Sequence, residues 1–170
     1  MISSASHRRR APVACALFVV LISAGCGEAP PPPPSTAVAK AGEAAEAQWT
    51  VDYDGALRRA AAEKKRILAA FTGSDWCPPC HKLAAEVFQT PEFRRWAARH
   101  FILVEFDFPR RTPIEPAVKA RNESFARLLG VTGFPTVVVL DADGREQARL
   151  GYRPGGAEPW IAELERLLAR

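Results

Sequence analysis

From Trp49 to Arg170 the apolar positions alternate between two patterns: short unbroken runs, and stripes spaced three and four residues apart. "DGALRRAAAEKK" (Asp54–Lys65) has helical spacing, and Asp52 or Asp54 suits its cap. "RILAAF" (Arg66–Phe71), "FILVEFDF" (Phe101–Phe108) and "TVVVL" (Thr136–Leu140) are too short for helices and read as buried strands. Thr90 and Pro91 supply a cap and a first-turn proline for a helix through His100, so the helical region before them ends near Gln89. "FPRRTPIEP" is a loop, and "AVKARNESFARLLG" places Val118, Phe125, Leu128 and Leu129 at helical spacing before stopping at Gly130. "DADG" is a tight turn returning the chain into the strand "REQARLG". "PWIAELERLLAR" closes as an amphipathic helix with Trp160, Ile161, Leu164, Leu167 and Leu168 on one side. The order is β-α-β-α-β-β-α with an extra helix in front. Helical crossovers imply parallel strands and the late hairpin adds an antiparallel edge. The expected fold is α/β, a small mixed β-sheet covered by helices, over residues 49–170.

The first 25 residues have a different pattern. Arg8, Arg9 and Arg10 precede an apolar run from Ala11 to Gly25, too short for a membrane span of about 20 residues but suited to the core of an export signal. The run ends in "LISAGC", which resembles the bacterial lipobox. Ala24 and Gly25 fit that pattern, while Ser23 stands where the family usually has leucine. The resemblance implies that Cys26 is lipidated and becomes the new N-terminus; the alternative is a plain signal cut at a small-residue site. Residues 26–48, with five consecutive prolines and little to bury, read as a tether. Gly27 after the cysteine, rather than an aspartate, favours the outer membrane.

Processing changes the charge and the cysteine count. Removing residues 1–25 takes three arginines and no acid, so Lys+Arg falls from 23 to 20 against 19 Asp+Glu and the formal charge from +4 to +1. The basic balance thus belongs partly to the signal, and no basic-aromatic stripe points to nucleic acid. Cys15 leaves with the signal and, on the lipobox resemblance, Cys26 takes the lipid. Cys77 and Cys80 remain, too few for a framework of bridges.

These two lie in "FTGSDWCPPCHKL" (Phe71–Leu83), at a turn from strand to helix. Unpaired N–H groups and the helix dipole favour an anion there, which lowers the pKa of a thiol. Pro78 and Pro79 fit a first helical turn, and Cys80, one turn on, can close a ring with Cys77. A zinc site needs more ligands than His81 and the distant His100 supply. A purely structural bridge over so short a loop constrains little chain entropy. No metal or other cofactor is called for, and redox chemistry at the pair is the expectation.

"DWCPPC" followed by "GFPT" (Gly133–Thr136) resembles the thioredoxin superfamily, over Trp49–Arg170. "FTGSDWC..C.KL..EVF.TPEF" is similar to exported bacterial thioredoxin-like proteins and to the C-terminal periplasmic domain of the transmembrane thiol-disulfide reductase. The resemblance implies a redox-active disulfide with Cys77 as exposed nucleophile and Cys80 as buried resolving thiol. It implies a cis-Pro135 facing them, a Phe134 backbone that pairs with substrate, and Trp76 as an apolar platform. One departure stands out: the family's buried acid before the motif aligns with Ala70, and a second acid of the reductase domain aligns with Ala84. Glu86 and Glu105 are the nearest carboxylates in sequence, Glu86 being expected to face solvent; water or His81 are alternatives, and the role stays unassigned.

The expected protein is a monomeric, lipid-anchored thiol-disulfide oxidoreductase facing the periplasm. It would reduce disulfides in exported proteins and be recharged by a membrane or periplasmic thiol reductase. The competing readings are a disulfide oxidase and a non-catalytic binding or copper-carrying module.

Overall fold

The computed structural model of the chain describes residues 46–170; the signal segment, Cys26 and the tether to residue 45 lie outside the described residues. Five strands form one mixed sheet: β1 (Trp49–Thr50), β2 (Arg66–Thr72), β3 (Phe101–Asp107), β4 (Thr136–Leu140) and β5 (Glu146–Leu150), in the spatial order β1-β3-β2-β4-β5. β3 is parallel to β1 and β2, while β4 is antiparallel to both β2 and β5. Five helices cover it: α1 (Tyr53–Glu63), α2 (Pro78–Leu83), α3 (Pro91–His100), α4 (Pro116–Leu128) and α5 (Ala157–Leu168). The expected fold class is borne out. β1 escaped the sequence reading because two residues carry no period; it exists because Trp49 and Thr50 lie beside Leu103 and Val104.

β2 and β3 read as unbroken apolar runs because both faces of the sheet are covered. Ile67, Ala69 and Phe71 face one core with Ile102, Val104 and Phe106, under Tyr53, Ala56 and Ala60 of α1. Leu68 and Leu103 face the other, with Leu83, Val87, Phe93, Trp96, Trp160 and Leu164. Burying each such large side chain contributes about 1.5–3 kcal/mol.

The helix boundaries follow local chemistry. Of the two candidate caps, Asp52 is the one used: it accepts from the Gly55 N–H at 2.9 Å. The Thr90 hydroxyl accepts from the Phe93 N–H at 3.3 Å. Before it, α2 runs on through a π-helical turn, Ala84–Phe88, and ends at Gln89 as expected. α4 gives way to Gly130 in the left-handed region at φ 59°.

Two expectations are corrected. Leu128 is 76% exposed; the stripe of α4 that faces the sheet runs through Asn122, Phe125, Ala126 and Leu129, and Leu128 lies outside it. The last tether residues belong with the domain, because the Ala47 N–H donates to the Arg94 carbonyl at 3.2 Å and Glu46 pairs with Arg94 at 3.4 Å.

Candidate active site

β2 ends at Thr72, and the chain turns through Gly73–Trp76 into Cys77, the N-cap of α2. The amides of Trp76 and Cys77 donate to the Gly73 carbonyl at 3.3 and 3.0 Å. A Cβ at Gly73 would lie 2.5 Å from Trp76 Cε2, so the indole packs here only because that side chain is missing. Pro78 and Pro79 occupy the first turn of α2, where an absent N–H breaks no helical bond. The Cys80 N–H donates to the Cys77 carbonyl at 3.0 Å, and the two cysteines form a disulfide with Cα atoms 5.3 Å apart.

Cys77 was expected to be exposed; in this disulfide form it is 2% exposed and Cys80 4%. Its sulfur is joined to that of Cys80, itself buried in the first turn of α2. His81 is exposed, and its Nε2 lies 2.8 Å from the Ser74 carbonyl, so a proton on Nε2 ties α2 back to the loop.

The Phe134–Pro135 bond is cis. Phe134 meets Trp76 edge-on at 5.9 Å and packs on Phe108 at 4.9 Å, so the structure brings Trp76 and Phe134 together. Trp76 is not an open apolar platform. Its Nε1–H donates to the Phe108 carbonyl at 2.8 Å, and the Arg110 guanidinium lies 3.5 Å from the ring centroid.

A network that sequence reading missed holds that arrangement. Asp75 accepts from the backbone amides of Arg110, Arg111 and Thr112 at 2.9, 2.8 and 2.8 Å. These bonds, the one from Arg110 foremost, lower its carboxyl pKa to about 2. The Ser74 N–H and hydroxyl donate to the Asp107 carboxylate at 2.9 and 2.6 Å, and the Asn122 amide donates to the Asp107 carbonyl at 2.8 Å. The loop after β3 is thereby stapled to the loop before Cys77. Nothing near Asp75 in sequence announces this, since its partners lie 35 to 37 positions away.

A cavity of about 380 Å³ borders Cys80, with Leu83, Ala70, Glu105, Pro135 and Arg94 also in its lining. Pro135 and Cys80 thus share one space. Glu86 is exposed, as expected, and accepts from the Tyr152 hydroxyl at 2.8 Å. Glu105 is half-buried, and burial, reinforced by Asp107, pushes its carboxyl up. Among the described residues no three His, Cys, Asp or Glu side chains are grouped to hold a metal.

A five-stranded mixed sheet with a cysteine pair at a helix start opposite a cis-proline defines a thiol-disulfide oxidoreductase, and the model of the thioredoxin-like domain matches residues 53–166. The chain belongs to that family. It is similar to the disulfide bond reductase DsbH of Chlamydia pneumoniae, 36% identical over 125 residues that span 74% of this chain and 75% of that one. A solved structure of the DsbH oxidoreductase matches with a TM-score of 0.69 at 36% identity, covering 74% of this chain and 87% of that one. The thioredoxin-related protein DsbJ of Chlamydia pneumoniae is 29% identical over 103 residues, 61% of this chain but 30% of that longer one.

Proposed function

We propose that the chain is a membrane-tethered reductase of disulfides in exported proteins, working through the Cys77–Cys80 dithiol. In the reduced protein the Cys77 thiolate attacks a substrate disulfide, bonds to one sulfur and releases the other as a thiolate. The Cys80 thiolate then attacks Cys77 Sγ, closing the ring and freeing the second substrate sulfur. Two electrons pass from the dithiol to the substrate, and a thiol reductase at the membrane returns them.

The observation that carries the direction is Pro79 at the second position of α2. A side chain at the N-cap is stabilised by the N–H groups of the second and third helical residues. Pro79 has no N–H, and the Cys80 N–H already donates to the Cys77 carbonyl. A Cys77 thiolate therefore gains less there than at an ordinary helix start. A strong oxidant depends on a much stabilised reduced form, and no histidine lies between the cysteines to provide it. The similarity to a protein named a disulfide bond reductase supports the same direction. The "LISAGC" ending supports lipidation at Cys26, and the 19 residues from Gly27 to residue 45 would reach about 65 Å fully extended, keeping the domain near one membrane.

The test is the state of the pair in growing cells, trapped by rapid acidification and thiol alkylation. A reductase is held as the dithiol; a pair found as the disulfide makes the protein an oxidase instead.

A further inference from the structure

Resolution of the mixed disulfide sets a problem at Cys80. Its thiol must lose a proton before attack, because the thiolate is the nucleophile. The residue is only 4% exposed, and burial disfavours the charged form. A proton acceptor is needed inside the protein.

β2 does not provide one. The residue on the relevant face, Ala70, has no titratable atom. Its register partner on β3 is Glu105. Paired residues of neighbouring strands share a face of the sheet, and this is the face of Leu68 and Leu103, against which Leu83 of α2 packs. The methyl group of Ala70 leaves space where a longer side chain would fill it. Ala70, Cys80 and Glu105 line that space together, and its 380 Å³ has room for bridging water.

The charged groups around Glu105 are few. Arg94 enters the lining from α3 and is paired with Glu46 at 3.4 Å. Asp107, two residues along β3, is taken up by Ser74. β1 and the residue before it bring Trp49 and Gln48, the π-helical turn and its cap bring Ala84, Phe88 and Gln89, and the start of β4 follows Pro135; none is charged. Among the described residues, Glu105 is the one carboxylate in the cavity lining.

We infer that Glu105, on β3 opposite Ala70, is the proton acceptor for Cys80. The Cys80 proton passes to the Glu105 carboxylate, directly or through cavity water, as Cys80 Sγ attacks Cys77 Sγ and the substrate leaves as a thiolate. In the reverse direction the Cys80 thiolate expelled from the disulfide takes that proton back. Burial and Asp107 raise the basicity of this carboxylate, which suits it to the task. The assignment rests on thiol-disulfide exchange at the pair, and not on which way the electrons run.

The test separates the two steps. The reduced full chain, with Cys15 and Cys26 replaced by serine, is mixed with dithiobis-nitrobenzoate. Attack by Cys77 releases one thionitrobenzoate, and attack by Cys80 on the resulting mixed disulfide releases the second. Glu105→Gln should leave the first phase unchanged and slow the second at least about tenfold, towards the 10²-fold range of general bases. In the parent the second phase should fall as pH drops through the Glu105 pKa, above the usual carboxylate value of about 4.3. In Glu105→Gln it should instead climb with pH into the thiol range, near 8.5. Ala70→Asp added to Glu105→Gln should recover part of the second phase by returning a carboxylate to the cavity. An unchanged second phase, or equal slowing of both phases with the pH profile kept, overturns the assignment. A parent chain with no first phase removes thiol-disulfide exchange itself, and the assignment with it.

Discussion

Trp76 carries the Arg110 guanidinium on its ring face, 3.5 Å from the centroid, and its neighbour Asp75 fixes the loop that delivers it. The carboxylate gathers three successive amides, from Arg110, Arg111 and Thr112. A free aspartate titrates at about 3.9; bound in this way Asp75 titrates at about 2. Because the folded value is the lower one, the clamp's contribution is fully present above the unfolded pKa and is lost as pH falls through the folded one. The amide resonances of these three residues should therefore titrate together near pH 2. A common midpoint near 3.9 would show that the clamp does not hold in solution.

Asn122 gives a prediction about stability. It is 2% exposed, and its amide donates to the Asp107 carbonyl while its carbonyl oxygen accepts from Arg121 at 2.9 and 3.2 Å. Asn122→Leu keeps the branched shape but strands the Asp107 carbonyl, at a cost of about 1–3 kcal/mol. Urea unfolding should show a lower midpoint at unchanged slope; an unshifted midpoint would mean the bond contributes nothing net.

The cysteine roles predict an asymmetry in trapping. Cys80→Ser should accumulate mixed disulfides through Cys77, because the resolving attack is missing. Cys77→Ser should trap almost none. Gels of alkylated, non-reduced extracts read this directly, and equal trapping by both variants would refute the order of attack.

Anchoring is checked by mass. The mature wild-type protein should carry an acyl modification at Cys26 and partition with membranes, and Cys26→Ser should lose both. An unmodified, soluble wild-type chain beginning near Cys26 would leave the pair in place but remove the tether.

Much of this was legible in the chain itself. β2, β3 and β4 stood out because strands covered on both faces read as continuous apolar runs, and Asp52, Thr90 and Gly130 marked helix ends through their own local bonds. The cysteine pair and Pro135 were visible as motifs. What stayed hidden depends on partners distant in sequence. Leu128 fits a helical stripe by spacing alone, and only packing shows that Asn122 holds the buried place. Asp75 looks like any loop acid until the segment after β3 folds over it. Glu105 was one of two nearby carboxylates, and strand register separates it from Glu86 by pairing it with Ala70 at the wall of the cavity beside Cys80.

The direction of electron flow is the central claim, and the potential of the Cys77–Cys80 pair in equilibrium with glutathione tests it most directly. The account predicts a value on the reducing side of disulfide isomerases, below about −180 mV, with a Cys77 pKa only modestly depressed from about 8.5. Pro79→His, which restores an N–H and adds a cationic side chain, should raise the potential by about 30 mV for each tenfold gain in stability of the reduced form. A wild-type pair well above −180 mV, with a Cys77 thiolate persisting to about the 3.5 of the strongest oxidants, would make the protein a disulfide donor and contradict the account.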